Sequence, residues 1–467
     1  MEILIMNQEI LLDDLPTLED KLEWGGELKR LIHRVENCPT PHVLGIHGNW
    51  GSGKTSFMRQ LQYGLGGECE DDGSIKKGQV ARKQKAKKAI ATVWFDSWRY
   101  QHEPTPVVAL LQEMRRQLAI MPAVKEKFLK FSEIALRYTL DGLSDVGKAI
   151  GIEALPSGEK IQKIGEAWES RHHAQALNTD SIRKHLHETI VSLLPNGERS
   201  RIVVFIDDLD RCNPKAAIRL LEGLKIYLNL PNCVFVIGMN ESVVLDAIRD
   251  EISAPSNATP QEMHLHASHY LEKICTDVYR LPLPDNSTAL FSKLLSASVS
   301  VEYVNAFNLC VGNTVCLPPN PRRLKALANQ WARFSGCIAF PSTVEEQKIW
   351  AARVIVAAYI HQFHRDIWER WHHNLDFWGD FLAWCNGERS FAPNGAVMTP
   401  SWAQALKLTT RVSNAGAGGA PAWALQYPNP GDIDVFWVDE LIREYRDHLR
   451  PIDFQGLLSG KQIVKKV

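Results

Sequence analysis

The chain lacks paired cysteines. Its nine cysteines are scattered and no two stand in a C-x-x-C arrangement, so neither a zinc site nor a disulfide framework is indicated, and a reducing cytosol is the expected setting. Long apolar runs are missing too, and no uninterrupted stretch reaches the length of a membrane span. The first residues, Met1-Glu-Ile-Leu-Ile-Met-Asn-Gln-Glu, have no basic region ahead of their apolar side chains and do not read as a signal peptide. Charge of one sign is not in excess. With a formal net charge of -1, no global attraction to nucleic acid or an anionic membrane exists, and any such surface must be local. His364, His372 and His373 lie among tryptophans without carboxylates or cysteines at ligand spacing, which favours packing and surface roles over metal.

What remains is ordinary soluble-protein chemistry, 45% apolar and 23% charged residues over 467 positions, too long for a single core. One stretch organises it. Val43, Leu44 and Ile46 read as a short buried strand, and Ser56-Phe-Met-Arg-Gln-Leu-Gln reads as a helix. Between them stand Gly48, Asn49, Trp50, Gly51, Ser52, Gly53, Lys54 and Thr55, a full G-x-x-x-x-G-K-[ST] match. Strand, glycine loop and helix in that order is the context a phosphate-binding loop requires. Glycines let the loop turn its N–H groups inward, and the helix, opening near Ser56, adds its positive end. Lys54 can then reach the β- and γ-phosphates, and Thr55 can ligate Mg²⁺.

The second signal is Arg201-Ile-Val-Val-Phe-Ile-Asp207-Asp208-Leu-Asp210-Arg211. An apolar run of this kind is a fully buried parallel strand, and acids at its carboxyl end emerge where ligands bind in open α/β sheets. Asp207 can hold the metal and Asp208 can orient the attacking water. Asp210 and Arg211 form either a structural ion pair or, through Arg211, a contact to a neighbouring subunit's γ-phosphate. A third buried strand, Cys233 to Met239, ends on Asn240, which suits either a sensor of water and γ-phosphate or a cap for the following helix. Ala89 to Phe95 is a further strand, and Asp96 at its end is a weaker candidate. Arg322 and Arg323 open a helix behind Pro321, where they act as second-sensor arginines or as solvated bases.

Around these signals the chain divides into 1–121, the first part of the nucleotide domain; 122–195, a polar helical insertion; 196–338, the rest of that domain with the arginine helix; and 339–467, a helical, Trp-rich C-terminal domain. Eight of fourteen tryptophans lie from Trp350 onward, and this shift in composition sets the last boundary. An acidic cluster, Glu68 to Asp72, precedes a basic run from Lys76 to Lys88 that also holds Arg82, Lys83, Lys85 and Lys87. Such blocks are solvated loops or contacts for phosphate, nucleic acid or an acidic partner.

Four segments together resemble the KAP family of P-loop NTPases: Gly48 to Thr55 with its internal Trp50, Trp94-Phe-Asp-Ser-Trp98-Arg99, Phe205-Ile-Asp-Asp-Leu-Asp-Arg211 and Tyr270-Leu-Glu-Lys-Ile. Asn320-Pro-Arg-Arg-Leu-Lys is similar to the family's arginine helix, and the resemblance covers about residues 10 to 335. It implies an α/β fold, a parallel sheet of about five strands with helices on both faces, binding ATP and Mg²⁺. Many members insert transmembrane helices where this chain has a polar helical insertion, so no membrane association is expected. Members usually end the third strand on aspartate where Asn240 stands here. Bacterial members often serve anti-phage or mobile-element systems.

The expected activity is Mg²⁺-dependent ATP hydrolysis in the cytoplasm by a regulatory or assembly switch. That switch would be a homo-oligomer engaging a protein effector or sensor through 339–467. The alternative is a nucleic-acid-dependent motor using the 76–88 run.

Overall fold

Five short strands rich in Val, Ile and Phe form one parallel sheet: β1 (His42–His47), β2 (Ile90–Asp96), β3 (Arg201–Asp207), β4 (Cys233–Met239) and β5 (Asp277–Arg280). The computed structural model describes residues 12–66, 90–103, parts of 106–117, 201–227, 232–251, 259–275, 277–284, 286–312, 314, 316–385, parts of 390–426, 437–450 and 454–459. The basic run of 76–88 and the expected insertion of 122–195 lie outside the described residues, as does the glycine-rich stretch 414–421.

Strand order is β2-β3-β4-β1-β5, so β4 separates the strand carrying the glycine loop from the strand carrying the acid pair. All seven residues of β3 and of β4 are buried, which explains their unbroken apolar composition. Their side chains still alternate between two cores. Val204, Ile206, Phe235 and Ile237 point to one face, which also holds Leu221, Leu224, Val244, Ile248 and Leu271. These come from α3 (Pro214–Tyr227), α4 (Glu241–Glu251) and α5 (Pro260–Ile274). Val203, Phe205, Val234 and Val236 point to the other face, where Leu31 and Val35 of α1 (Gly25–Asn37) and Phe57, Met58 and Leu61 of α2 (Lys54–Gly64) cover them. Fully burying each such side chain is worth ~1.5–3 kcal/mol, so both helical layers are held by apolar area.

Polar groups finish the local structure. The buried Arg201 donates to the Val35 carbonyl at 2.6 Å and to the Cys38 carbonyl at 3.2 Å, satisfying the end of α1. Thr259 and Glu262 form a capping box on α5, with Pro260 in its first turn.

The chain divides into two compact units, Pro16–Pro282 and Met1–Leu15 with Leu283–Val467. The sheet and its helices form the first. The boundary therefore falls at 282/283 and not at the expected 338/339, and the arginine helix belongs with the Trp-rich part. The reason is a shared core. Trp331 of α8 (Pro321–Ser335) meets Phe291 of α6 (Ser287–Ser296), Phe307 of α7 (Val301–Val311) and Trp350 of α9 (Val344–Phe363). Helix α9 is buried over most of its circumference, the mark of a central helix. The later tryptophans also pack: Trp371 of α10 (Arg365–His373) stacks on Trp378 of α11 (Leu375–Cys385) at 3.9 Å between ring centres. Trp378 Nε1 donates to the Leu449 carbonyl at 2.7 Å. His364 is buried, and burial with Arg323 nearby lowers its pKa to about 3, whereas His372 and His373 are exposed.

Near the end of the chain α12 (Asp439–Glu444) is followed by a 3₁₀ turn at Arg446–His448. After it comes α13 (Gln455–Ser459). The unit is not purely helical. Among the described residues two antiparallel ribbons pair Ser390–Phe391 with Val397–Met398 and Thr409–Val412 with Trp423–Gln426. Among the described residues no helix is long and apolar enough to cross a membrane.

Candidate functional site at the carboxyl edge of the sheet

In-register pairing sets the site. Asp96 lies opposite Asp207, Ile206 opposite Ile237, and His47 opposite Met239. The carboxyl ends of β2, β3, β4 and β1 are therefore flush, and the segments leaving these strands meet at one edge.

The glycine loop leaves β1 after His47. Gly51 and Gly53 have φ of 79° and 94°, a left-handed backbone that disfavours any side chain with a Cβ. At Gly48 a Cβ would stand 2.6 Å from Ser52 Oγ. The Gly48 amide donates to the Met239 carbonyl at 3.2 Å, tying the loop to β4. Within the loop, Ser52 Oγ is buried with no hydrogen-bond partner among the described residues. An orphaned polar atom inside a tightly wound cradle is what a bound phosphate would relieve.

Lys54 begins α2 and is buried. Its Nζ donates to the Gly48 carbonyl at 2.8 Å and to the Asn49 carbonyl at 3.4 Å, and stands 3.5 Å from Asp210 Oδ2. Trp50 projects from the loop, 66% exposed, and the Arg211 guanidinium lies 6.0 Å from its ring centre. Ser56 faces differently, since its Oγ accepts the Thr17 amide at 3.2 Å.

The acids come next. Asp207 is 4% exposed, and the Thr55 hydroxyl hydrogen-bonds to it. Its Oδ1 is buried without a hydrogen-bond partner among the described residues. Thr55 beside a half-satisfied carboxylate is a donor set of the kind Mg²⁺ takes, one or two protein oxygens with waters and phosphate completing the shell. Burial, with Asp208 adding, pushes the Asp207 carboxyl up to about 6, against Thr55, the Asp208 amide and Arg59. Ser97 Oγ donates to the Asp207 carbonyl at 2.6 Å and fixes the strand end. Asp208 adopts φ 58° and ψ 30°, a left-handed conformation uncommon without glycine and often kept at functional positions. Its Oδ1 is 3.0 Å from Arg211 Nε. Burial raises its pKa and Arg211 opposes the shift. The intrachain ion pairs are thus Asp208–Arg211 and Asp210–Lys54, and not the Asp210–Arg211 pair the sequence suggested. Residues 208 and 211 are one 3₁₀ turn apart and meet directly.

Asn240 Oδ1 accepts from Ser242 N at 3.2 Å and Ser242 Oγ at 2.8 Å, the geometry of a helix start. Arg322 and Arg323 belong to the other unit, where Arg322 Nε pairs with Asp14 Oδ2 at 2.7 Å and Arg323 lies over Phe363 at 5.7 Å. Two contributors escaped the sequence reading. Arg59, one turn into α2, lies 3.5 Å over the Trp94 ring. Burial lowers its pKa to about 10, while Asp207 and Asp96 oppose that shift. Gly238 on β4 leaves room for the acid: a Cβ there would be 3.1 Å from Asp207 Oδ1 and 2.5 Å from Met58 Sδ. A glycine inside a buried strand was the available signal.

The Asp207 shift has a sign. A carboxyl raised from 3.8 to about 6 favours the folded state while it holds its proton. That stability is complete below the unfolded value and is lost as pH rises through the folded one. For metal-free, nucleotide-free protein in chelator, this group should remove up to about 3 kcal/mol between about pH 4 and pH 6. Thermal unfolding of wild type and Asp207→Asn across that range isolates it. Coincident pH profiles would mean that Asp207 carries its charge at no cost to folding.

Comparison with known proteins agrees with this geometry. The KAP family P-loop domain matches residues 27–309. The phage T7 exclusion protein of Escherichia coli K12 is 20% identical over 294 residues, 58% of this chain and 34% of that protein. The chain thus spans about a third of that relative's length. Among solved structures, the Aeropyrum pernix ORC2 protein in its ADPNP–ADP complexes aligns at 10% identity with a TM-score of 0.36, over 83% of this chain and 81% of that one. Its ADP form aligns at 9% with 0.32, over 75% and 71%. Those scores are low, and the five-stranded sheet itself defines the fold. With the family domain matched over more than half its length, and the glycine loop and acid pair on one sheet edge, the chain belongs to the KAP family of P-loop NTPases.

Proposed function

We propose that this protein is a Mg²⁺-dependent ATP hydrolase whose nucleotide state controls self-association and engagement of an effector through residues 339–467. The observation that carries the hydrolase reading is the Thr55–Asp207 contact. It joins the helix after the glycine loop to the acid strand, although β4 lies between β1 and β3. Thr55 and Asp207 would hold Mg²⁺, which supplies charge neutralisation on the phosphates. Lys54 and the loop amides of residues 48–53 stabilise negative charge on the transferring phosphoryl group. Asp208, half-buried and turned out of the strand by its left-handed backbone, orients the attacking water. Asn240 and Arg211 would sense or complete the site. The name of the phage exclusion relative supports a role in anti-phage defence.

Asp208→Asn tests the assignment of the two acids. ATP binding should persist and turnover should fall by ~10²–10⁴, the range for removing a general base. Binding is read by titration calorimetry and turnover by phosphate release. Loss of binding with unchanged turnover per bound ATP would exchange the roles of Asp207 and Asp208. The same phosphate assay with added DNA or RNA separates the switch from a motor. A large stimulation by nucleic acid would overturn the switch reading.

A further inference from the structure

Among the described residues Lys54 has three polar partners, and one of them is an acid outside the metal and water assignments. The Gly48 and Asn49 carbonyls lie at 2.8 and 3.4 Å and Asp210 Oδ2 at 3.5 Å. Both side chains of the pair are 9% exposed, so the attraction is screened less than a surface pair would be. An ammonium group has three protons; the loop carbonyls accept two, and Asp210 pairs with the same group at 3.5 Å. A phosphate oxygen that bonds Lys54 competes with these partners, and Asp210 is the farthest of them and the one that repels phosphate.

We propose that Asp210 is a positioning residue that occupies Lys54 in place of phosphate and makes tight nucleotide binding conditional on Mg²⁺ and on a β- or γ-phosphate. This rests on the nucleotide-site reading above. Two observations support it. Asp210 sits in the 3₁₀ turn Leu209–Arg211, directly after the acid pair, so one short segment supplies Asp207 beside Thr55, Asp208 beside Arg211 and Asp210 beside Lys54. Asp96 adds a fourth carboxylate opposite Asp207. The polyphosphate therefore enters an acidic edge. Once displaced, Asp210 stays close and repels it until a divalent cation neutralises the phosphates. A nucleotide that leaves Lys54 untouched never meets this competition.

The experiment is calorimetric titration of wild type and Asp210→Asn with the non-hydrolysable analogue AMPPNP, with ADP and with AMP, each in Mg²⁺ and in chelator. The variant should bind AMPPNP ~10-fold tighter in chelator and gain less than about threefold in Mg²⁺. ADP should follow in the same direction, and AMP affinity should not change. A merely structural role would weaken all three ligands together. Asp210→Ser, smaller and uncharged, serves if the asparagine variant does not fold. Unchanged or weaker AMPPNP binding in chelator, with wild type still binding Mg²⁺–AMPPNP, overturns the role of Asp210 alone. Wild type that fails to bind Mg²⁺–AMPPNP overturns the nucleotide-site reading and this inference with it.

Discussion

Replacing Lys54 by alanine should leave a folded protein that neither retains ATP tightly nor hydrolyses it. The lysine is buried at the first position of α2, held by the loop carbonyls it would exchange for phosphate. Removing it takes away the one cation that the glycine loop itself supplies, while the loop amides remain. Their share cannot compensate, because a preorganised charge in a water-poor site acts far more strongly than in solvent. The fold should survive. Alanine is a strong helix former, and α2 is anchored by Phe57, Met58 and Leu61 in the core under the sheet. The cost is Asp210, left without its ion-pair partner, which should lower stability by about 1–3 kcal/mol. Far-UV circular dichroism and thermal unfolding establish the fold, and phosphate release establishes the loss. A well-folded Lys54→Ala protein hydrolysing ATP at the wild-type rate would remove the glycine loop from the chemistry.

The second large effect concerns assembly. P-loop sites of this kind commonly complete their chemistry with an arginine from a neighbouring subunit, and such a contact is worth ~10³–10⁵ in rate in GTPases that use it. The guanidinium fork suits the task because it contacts two phosphate oxygens together. Three arginines are candidates. Arg211 is engaged by Asp208 at 3.0 Å and faces the exposed Trp50, so it braces an acid of its own chain. Arg322 is paired with Asp14, and Arg323 lies over Phe363.

ATP should promote self-association, with activity per molecule rising with protein concentration. At least one of Arg211→Ala, Arg322→Ala and Arg323→Ala should abolish hydrolysis and preserve ATP binding. Mixing that variant with Lys54→Ala, which still carries the arginine, should restore part of the activity. Light scattering that shows a monomer with ATP across the working range, together with flat specific activity, would confine these arginines to their own subunit. Arg211→Ala alone has a further signature, because Asp208 loses the charge that opposes its raised pKa. The pH at which activity rises should then move upward.

Much of the site is legible in residue order because its chemistry is local. Gly51 and Gly53, two residues apart, supply the left-handed backbone of the loop, and Lys54 and Thr55 come directly after because a helix begins there. The apolar run into Asp207 and Asp208 announces a buried strand by composition alone. Proline and Asn320 mark the start of α8 as they should. These features depend on neighbours within one turn or one strand, so the sequence by itself determined them, and with them the family and the class of ligand.

Tertiary structure decided the rest. That β4 lies between β1 and β3, so that Thr55 meets Asp207 across it, depends on β4 pairing not only with β3 but also with β1, whose residues precede their partners by 192 positions, as His42 does Val234. Apolar periodicity reports that a strand is buried and is silent about which strands flank it. The pairing of Lys54 with Asp210, and of Arg211 with Asp208, comes from a left-handed residue at 208 that turns the chain after the strand, and aspartate does not demand that conformation. The boundary at 282/283 was likewise hidden. Composition changes near Trp350, but Trp331 already shares its core with the later helices. A residue's burial is written in its own chemistry, and its partner is chosen by whichever distant segment the fold brings against it.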